Sequence, residues 1–508
     1  MGKKLLKIFY TSDTHGFLFP TNYLDSTERQ MGVLNCIYNF RKKDGNTLII
    51  DGGDTLQGSP LAKFYAEQSV ADSPNPMAEA FNAGKVDYVV PGNHDFNYGY
   101  DMLFNYFDSL KAKYLCANIR DKTGKIEFIP NEICTLENGI KIGLVGITTD
   151  YIPYWEKEEN LRNFVINDPF VAAKEELKAI RDKCDVTICV YHGGFENNLE
   201  TGDIIETHGE NAGYRICKEL SFDILLTSHQ HREVSGRTLF GTYTMQLPAH
   251  ARKYAEVTVE LSESRPATIS SEIRAPGTRY DAAIYDALRP VEDEVQKWLD
   301  TQVGELSSPM IVADNHIDAA LHGDPVTDFF MQVMLEFSKA DICCENLKST
   351  LVSFNESVTI REVLAAYPFP CSIVVIEVDE ATLKTALERG AEFFDLKDGV
   401  PTISERVLGK KDFGYDFVAG LEYSFDISRP TGSRVLSLFY KGEPIGDKKL
   451  TMAMSDYRAS GAGGYDCYKK CRVIKRHSED IFTLAIQYLQ TQKPVVQTVK
   501  TNVSVTWQ

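Results

Sequence analysis

Residues 86–95 read VDYVVPGNHD: a short β-prone apolar run stops at Pro91-Gly92 and delivers Asn93, His94 and Asp95. Five other segments share this form. They are LLKIFYTSD (5–13), NTLIIDGGD (46–54), IKIGLVGITT (140–149), VTICVYHGG (186–194) and FDILLTSHQH (222–231). Helix-like stretches separate several of them, such as GVLNCIYNFRKK (32–43) and PFVAAKEELKAIRDK (169–183). The alternation is the βαβ signature of an α/β fold whose strands are buried on both faces. The polar residues fall at the carboxyl ends of the strands, where such folds bind ligands.

Moving outward, the runs GTYTMQL (241–247) and YAEVTVELS (254–262) look antiparallel. Residues 281–303 read as a charged helix, kinked or split at Pro290, and form a connection between domains. The second half is α+β in pattern. Its helices are TDFFMQVMLEFSK (327–339) and EATLKTALERGAEFF (380–394); its strands are CSIVVIEVD (371–379), LEYSFDIS (421–428) and RVLSLFYKG (434–442). The expected division is 1–275, a linker over 276–304, and 305–508. A chain of 508 residues suits two domains.

The net charge of −18 repels a nucleic-acid polymer but not a small anion held by metal ions. No apolar run is long enough to span a membrane. The 11 cysteines are scattered and several lie in apolar segments, which suits a reducing, cytoplasmic setting. Export, with a leader removed before this numbering, is the alternative. Cys467 and Cys471 lack the second pair that a structural zinc needs.

Five pieces carry the chemistry: Asp13-Thr14-His15, Gly53-Asp54, Gly92-Asn93-His94-Asp95, His192, and His229-Gln230-His231. A lone D-x-H is ordinary turn material, and a lone His after a strand is an ordinary core residue. Five pieces at five expected strand ends make a set. In D-x-H and H-x-H, residues i and i+2 of an extended segment face one way and can reach one ion. Carboxylate, imidazole and amide oxygen suit manganese, zinc, cobalt or iron(II). Two ions about 3.5–4 Å apart bind phosphoryl oxygens and lower the pKa of a shared water. His94, beside Asn93 and with no other task, is the candidate to protonate the departing oxygen.

The ordered set resembles the calcineurin-like metallophosphoesterases, with Ser228 where that family usually has Gly. The resemblance implies a four-layer α/β/β/α sandwich and two divalent metal ions. One ion would take Asp13, His15, Asp54 and His231; the other would take Asp54, Asn93, His192 and His229. The second half resembles the substrate domain of the 5′-nucleotidase superfamily, from about Val358 to Tyr465. There Phe369 and Tyr457 would sandwich a nucleobase; Arg458 in the same half and Asn118 in the first half are further candidate substrate contacts. The loop Ser460–Gly464 would allow a ligand close approach.

Within that superfamily, GNHDFNYG (92–99), residues 415–435 and Tyr457-Arg458-Ala459-Ser460 resemble the 2′,3′-cyclic-nucleotide 2′-phosphodiesterase/3′-nucleotidase branch. Asn97, where simple 5′-nucleotidases usually have Asp, would orient His94. Thr350 stands where a phosphate-binding Arg is expected, and Cys371 where an Asn is usual. The implied activity is metal-dependent hydrolysis of small nucleotide phosphate esters, with rotation between the domains delivering substrate. A nucleotide-sugar or dinucleotide pyrophosphatase is the rival enzyme, and a silent nucleotide-binding protein the rival of another class. His250 is expected in a loop, Asp324 as a helix N-cap, and Glu156, Glu158 and Glu159 on a solvated face.

Overall fold

In the computed structural model, strand Lys4–Thr11 has its buried residues facing two ways, because helices cover one side and a second sheet the other. The structure describes residues 4–68, 74–206, 209–262, 267–369, 371–405, 407 and 414–507. His208 lies outside them. Two compact units divide at Gln296 and Lys297.

The N-terminal unit holds two six-stranded sheets. In the first, Lys4–Thr11, Thr47–Asp51, Tyr88–Val89 and Lys113–Tyr114 run parallel, and Tyr254–Leu261 and Thr268–Arg274 extend it antiparallel. In the second, Lys141–Thr148, Val186–His192, Ile224–Thr227 and Thr242–Gln246 run parallel, with antiparallel Asn131–Thr135 and Val234–Leu239 at the edges. Ile8, Ile50, Val190 and Leu226 belong to one apolar core between the sheets. One position along, Cys189, Tyr191 and Leu225 point the other way, onto helices Pro169–Ile180 and Gly213–Glu219. On the far side Phe9 stacks on Phe40 at 5.0 Å, at the end of helix Val33–Asn39. This period-two sorting of apolar side chains gives the four α/β/β/α layers.

The expected linker helix is one element, Ala282–Leu299, running through Pro290. Its early turns belong to the N-terminal unit: Tyr285 packs edge-on against Phe19 at 5.2 Å, and Tyr23 Oη donates to Glu292 at 2.8 Å.

The C-terminal unit is α+β. Its five-stranded sheet runs Asp416–Ala419, Ile342–Asn346, Leu450–Ser455, Ser372–Val378, Val473–Asp480 in spatial order. Helix Pro325–Ser338 is buried along most of its length and begins with Asp324, which accepts from Thr327 N at 2.7 Å. All eleven cysteines are free thiols, six of them buried, and Cys467 and Cys471 are unpaired.

Candidate metal centre

The carboxyl ends of the parallel strands converge. Asp13, His15, Asp54 and His231 bring one ligand-grade atom each to within 4.8 Å of one another, and Asp54, His192 and His229 do the same. Asn93 joins the second group, its Oδ1 lying 3.2 Å from His192 Nε2 and 2.8 Å from His229 Nδ1. Asp54 is common to both.

The backbone that achieves this is not extended. Asp13, His15, Asp54, His229 and His231 all have φ between 51° and 72°, the left-handed region that is uncommon for non-glycine residues, although Asp and His enter it more readily than most. Backbone bonds hold them there. Asp13 N donates to Gly53 O and His15 N to Asp54 O, both at 2.8 Å, and His229 N donates to Asp13 Oδ1 at 2.8 Å. The i, i+2 side chains therefore converge through left-handed turns, which corrects the extended geometry expected for D-x-H and H-x-H. Gly53, at φ 93°, has no room for a side chain: a Cβ there would meet Gly92 N at 2.6 Å.

Asp95 braces two of these loops. Its buried carboxylate accepts from the backbone N–H of Gly92, Asp54, Thr55 and Leu56 at 2.7–3.1 Å. Burial and the neighbouring Asp54 push its pKa up to about 6.

Tautomers follow from the partners. His15 Nδ1 lies 2.8 Å from the Gln57 carbonyl and His192 Nδ1 2.6 Å from the Gly52 carbonyl. A carbonyl only accepts, so each Nδ1 carries the proton and Nε2 turns a lone pair inward. His229 is reversed: Nε2 faces Glu210 Oε1 at 2.8 Å, leaving Nδ1 inward. Asp54 Oδ2 is buried without a hydrogen-bond partner, 3.2 Å from His192 Nε2 and 3.9 Å from His15 Nε2. His15 Nε2 and His231 Nε2 face each other at 2.9 Å. Lone pairs aimed at lone pairs fit a cation between them. Burial and the adjacent imidazoles hold His15 down to about 3, and burial holds His231 to about 4, so both are neutral donors. Burial also opposes a charged His192, but the Asp54 carboxylate outweighs it and lifts His192 to about 9. A proton there takes the place a cation would fill, and metal binding would release it.

His94 lies beside the clusters, its ring 5.3 Å from that of His15 and its backbone N–H donating to Asp54 Oδ1 at 2.7 Å. Its Nδ1 is 2.7 Å from Asn97 Oδ1, and Asn97 Nδ2 donates to Glu156 Oε2 at 2.5 Å. Glu156 is therefore half-buried and engaged, whereas Glu158 and Glu159 are exposed; the solvated-face reading fails for Glu156. His250 is also no plain loop residue, because its ring packs on Phe17 at 4.4 Å and edge-on to His15 at 5.8 Å. Asp95 was visible in the GNHD motif without its role. Glu156 was hidden in a charged run, and Glu210 had no motif at all.

Two expected substrate contacts are corrected. Asn118 is fully buried, and its amide donates to the Thr148 and Asn167 carbonyls and accepts from Thr148 N. Arg458 is 4% exposed, forks onto Asp416 with two 2.7 Å contacts, and lies under the Tyr465 ring at 4.1 Å. Each is consumed by its own fold. The glycine loop behaves likewise: Gly463 closes on Arg458, and its carbonyl accepts from Arg389 at 2.7 Å. Phe369 and Tyr457 differ, at 54% and 50% exposure. They flank strands paired antiparallel with Ile373 opposite Ser455, so both stand at one end of the pair, and Ser372 N ties that end to Asp456 at 3.2 Å.

Comparison with known proteins agrees with this architecture. Residues 6–233 match the calcineurin-like phosphoesterase family and residues 302–470 the 5′-nucleotidase C-terminal domain. A 2′,3′-cyclic-nucleotide 2′-phosphodiesterase/3′-nucleotidase of Salmonella typhimurium is 24% identical over 90% of this chain and 81% of its own. A 5′-nucleotidase of Vibrio parahaemolyticus is 23% identical over 91% and 84%. A solved Staphylococcus aureus structure, provisionally called a 5′-nucleotidase and holding alpha-ketoglutarate, superposes with a TM-score of 0.89. It is 29% identical and covers 99% of this chain and all of its own. With this fold and an electron-rich cluster that calls for divalent cations, the chain belongs to the calcineurin-like phosphoesterases that carry a 5′-nucleotidase C-terminal domain, and is a metal-dependent phosphoric ester hydrolase.

Proposed function

We propose that this chain hydrolyses phosphate esters of small nucleotides, with 2′,3′-cyclic and 3′ esters as its main substrates. The observation that carries the reading is the sharing of Asp54 between two donor clusters, with His94 alongside. Asp13, His15, Asp54 and His231 would hold one divalent ion, and Asp54, Asn93, His192 and His229 the second. Manganese, zinc, cobalt and iron(II) all suit these donors. Bound ions supply Lewis acidity to the phosphoryl oxygens and to the attacking water.

The chain's own groups do the rest. Asn97 holds the His94 ring through Nδ1, which leaves Nε2 to give a proton to the ribose oxygen as the P–O bond breaks. In the C-terminal unit, the exposed rings of Phe369 and Tyr457 offer stacking faces for a nucleobase. Stacking contributes about 1–3 kcal/mol per base and is tolerant of base identity. The names of the relatives favour nucleotides, and the Salmonella relative favours the cyclic and 3′ esters.

The test is turnover by protein stripped of metal and reloaded with each of the four ions. The panel is 2′,3′-cyclic AMP, 3′-AMP, 5′-AMP, a nucleotide sugar and an aryl phosphate. Preference for the first two is expected. Preference for the nucleotide sugar would replace the reading with a pyrophosphatase, and nucleotide binding without turnover of any ester would leave a binding protein.

A further inference from the structure

Glu156 follows the short helix Ile152–Trp155, and its two carboxylate oxygens are both engaged. Oε2 accepts from Asn97 Nδ2 at 2.5 Å; Oε1 accepts from Lys157 N at 2.7 Å and Asn160 Nδ2 at 2.8 Å. Asn160 Nδ2 also reaches the Asn97 carbonyl at 3.2 Å. The neighbouring Trp155 ring packs against His229 at 5.5 Å, so the segment is anchored to the centre on both sides of Glu156's own contact.

This arrangement decides what Asn97 can do. A free amide flips between two nearly equal orientations, one of which would turn an N–H at the His94 Nδ1–H and lose the bond. A carboxylate accepts only, so Glu156 selects the orientation with Nδ2 towards itself and Oδ1 towards His94. The amide is neutral and brings no charge of its own to an imidazolium. The nearest negative charge in line is one hydrogen bond further on, at Glu156, and it polarises the amide towards His94.

We infer that Glu156 is a positioning residue for the leaving-group proton: the carboxylate–amide–imidazole chain Glu156–Asn97–His94 fixes the acid's orientation and supports its charge. The inference rests on the hydrolysis proposed above. It makes no contact with substrate a requirement for Glu156 and leaves the metal donors alone.

Leaving-group dependence tests it. Loss of acid assistance harms a ribose alkoxide and spares nitrophenolate, which departs without a proton. Glu156→Gln is expected to lower kcat for 3′-AMP about ten- to a hundredfold. KM, bound metal per chain and the unfolding temperature should stay as in the wild type, and kcat for nitrophenyl phosphate should change less than about twofold on the same argument. Asn97→Asp puts two carboxylates face to face and should be slower than wild type on 3′-AMP. Adding Glu156→Gln to it restores a single carboxylate directly on His94 and should recover most of kcat.

Equal losses on both esters, or a double variant no better than Asn97→Asp alone, would overturn the inference. Failure of the wild type on every ester would sink the proposed function instead, so the two failures are separable.

Discussion

At the metal centre Asp13, His15, Asp54, His229 and His231 all occupy left-handed backbone and are crossed by hydrogen bonds from neighbouring loops, whereas Phe369 and Tyr457 stand half-exposed on unstrained backbone. Strain of this kind costs about 1–3 kcal/mol per residue and persists only where surrounding contacts over-determine it. The four backbone N–H groups on Asp95 are such contacts. Groups that must hold charge at fixed separations need that support. Aromatic faces that must only be available need exposure.

The sharpest way to break the contrast is Asp54→Ala. It removes the one group common to both clusters, and turnover should fall to background with both ions lost, as read by metal analysis beside the assay. His94→Ala should keep the ions and lower kcat for nucleotide esters by about 10²–10⁴. A similar loss of metal in the two variants would mean that His94 belongs to the binding set. Arg458→Met leaves Asp416 buried and uncompensated. Urea unfolding should show the C-terminal unit destabilised by about 3–5 kcal/mol, with the metal content of the folded protein unchanged.

Glu210→Gln withdraws the carboxylate from His229 Nε2 and should weaken metal affinity about 10- to 100-fold in a competition titration. The variant that leaves the chemistry itself untouched belongs to the exposed edge. Tyr457→Ala should weaken nucleotide binding by about 1–3 kcal/mol, read as a raised KM for 3′-AMP, without changing turnover of an aryl phosphate that has no base to stack. A fall in aryl phosphate turnover would place Tyr457 with the chemistry and erase the distinction.

Much of this was legible in the chain. Runs such as NTLIIDGGD carry strand, break and functional group in consecutive letters, so the α/β alternation and the five polar pieces at strand ends were legible, whereas the four layers and the division of donors between two ions came with the family resemblance. What could not be read is partnership. Asn118 and Arg458 have the composition of ligands, yet the Thr148 carbonyl and Asp416 take them, and nothing local announces either partner. Glu156 meets Asn97 across 59 positions and was indistinguishable from its exposed neighbours Glu158 and Glu159. Backbone sign was hidden too. Asp and His tolerate positive φ better than most residues but do not require it, and the bonds that Asp13 N and His15 N donate to the Gly53 and Asp54 carbonyls come from a segment about forty positions away.

The bond from His229 N to Asp13 Oδ1 joins residues 216 positions apart. On a ribosome adding about 5–20 residues per second, Asp13 therefore waits roughly ten to forty seconds for its partner. Each of the two donor clusters includes His229 or His231, so neither cluster is complete until that segment has been made.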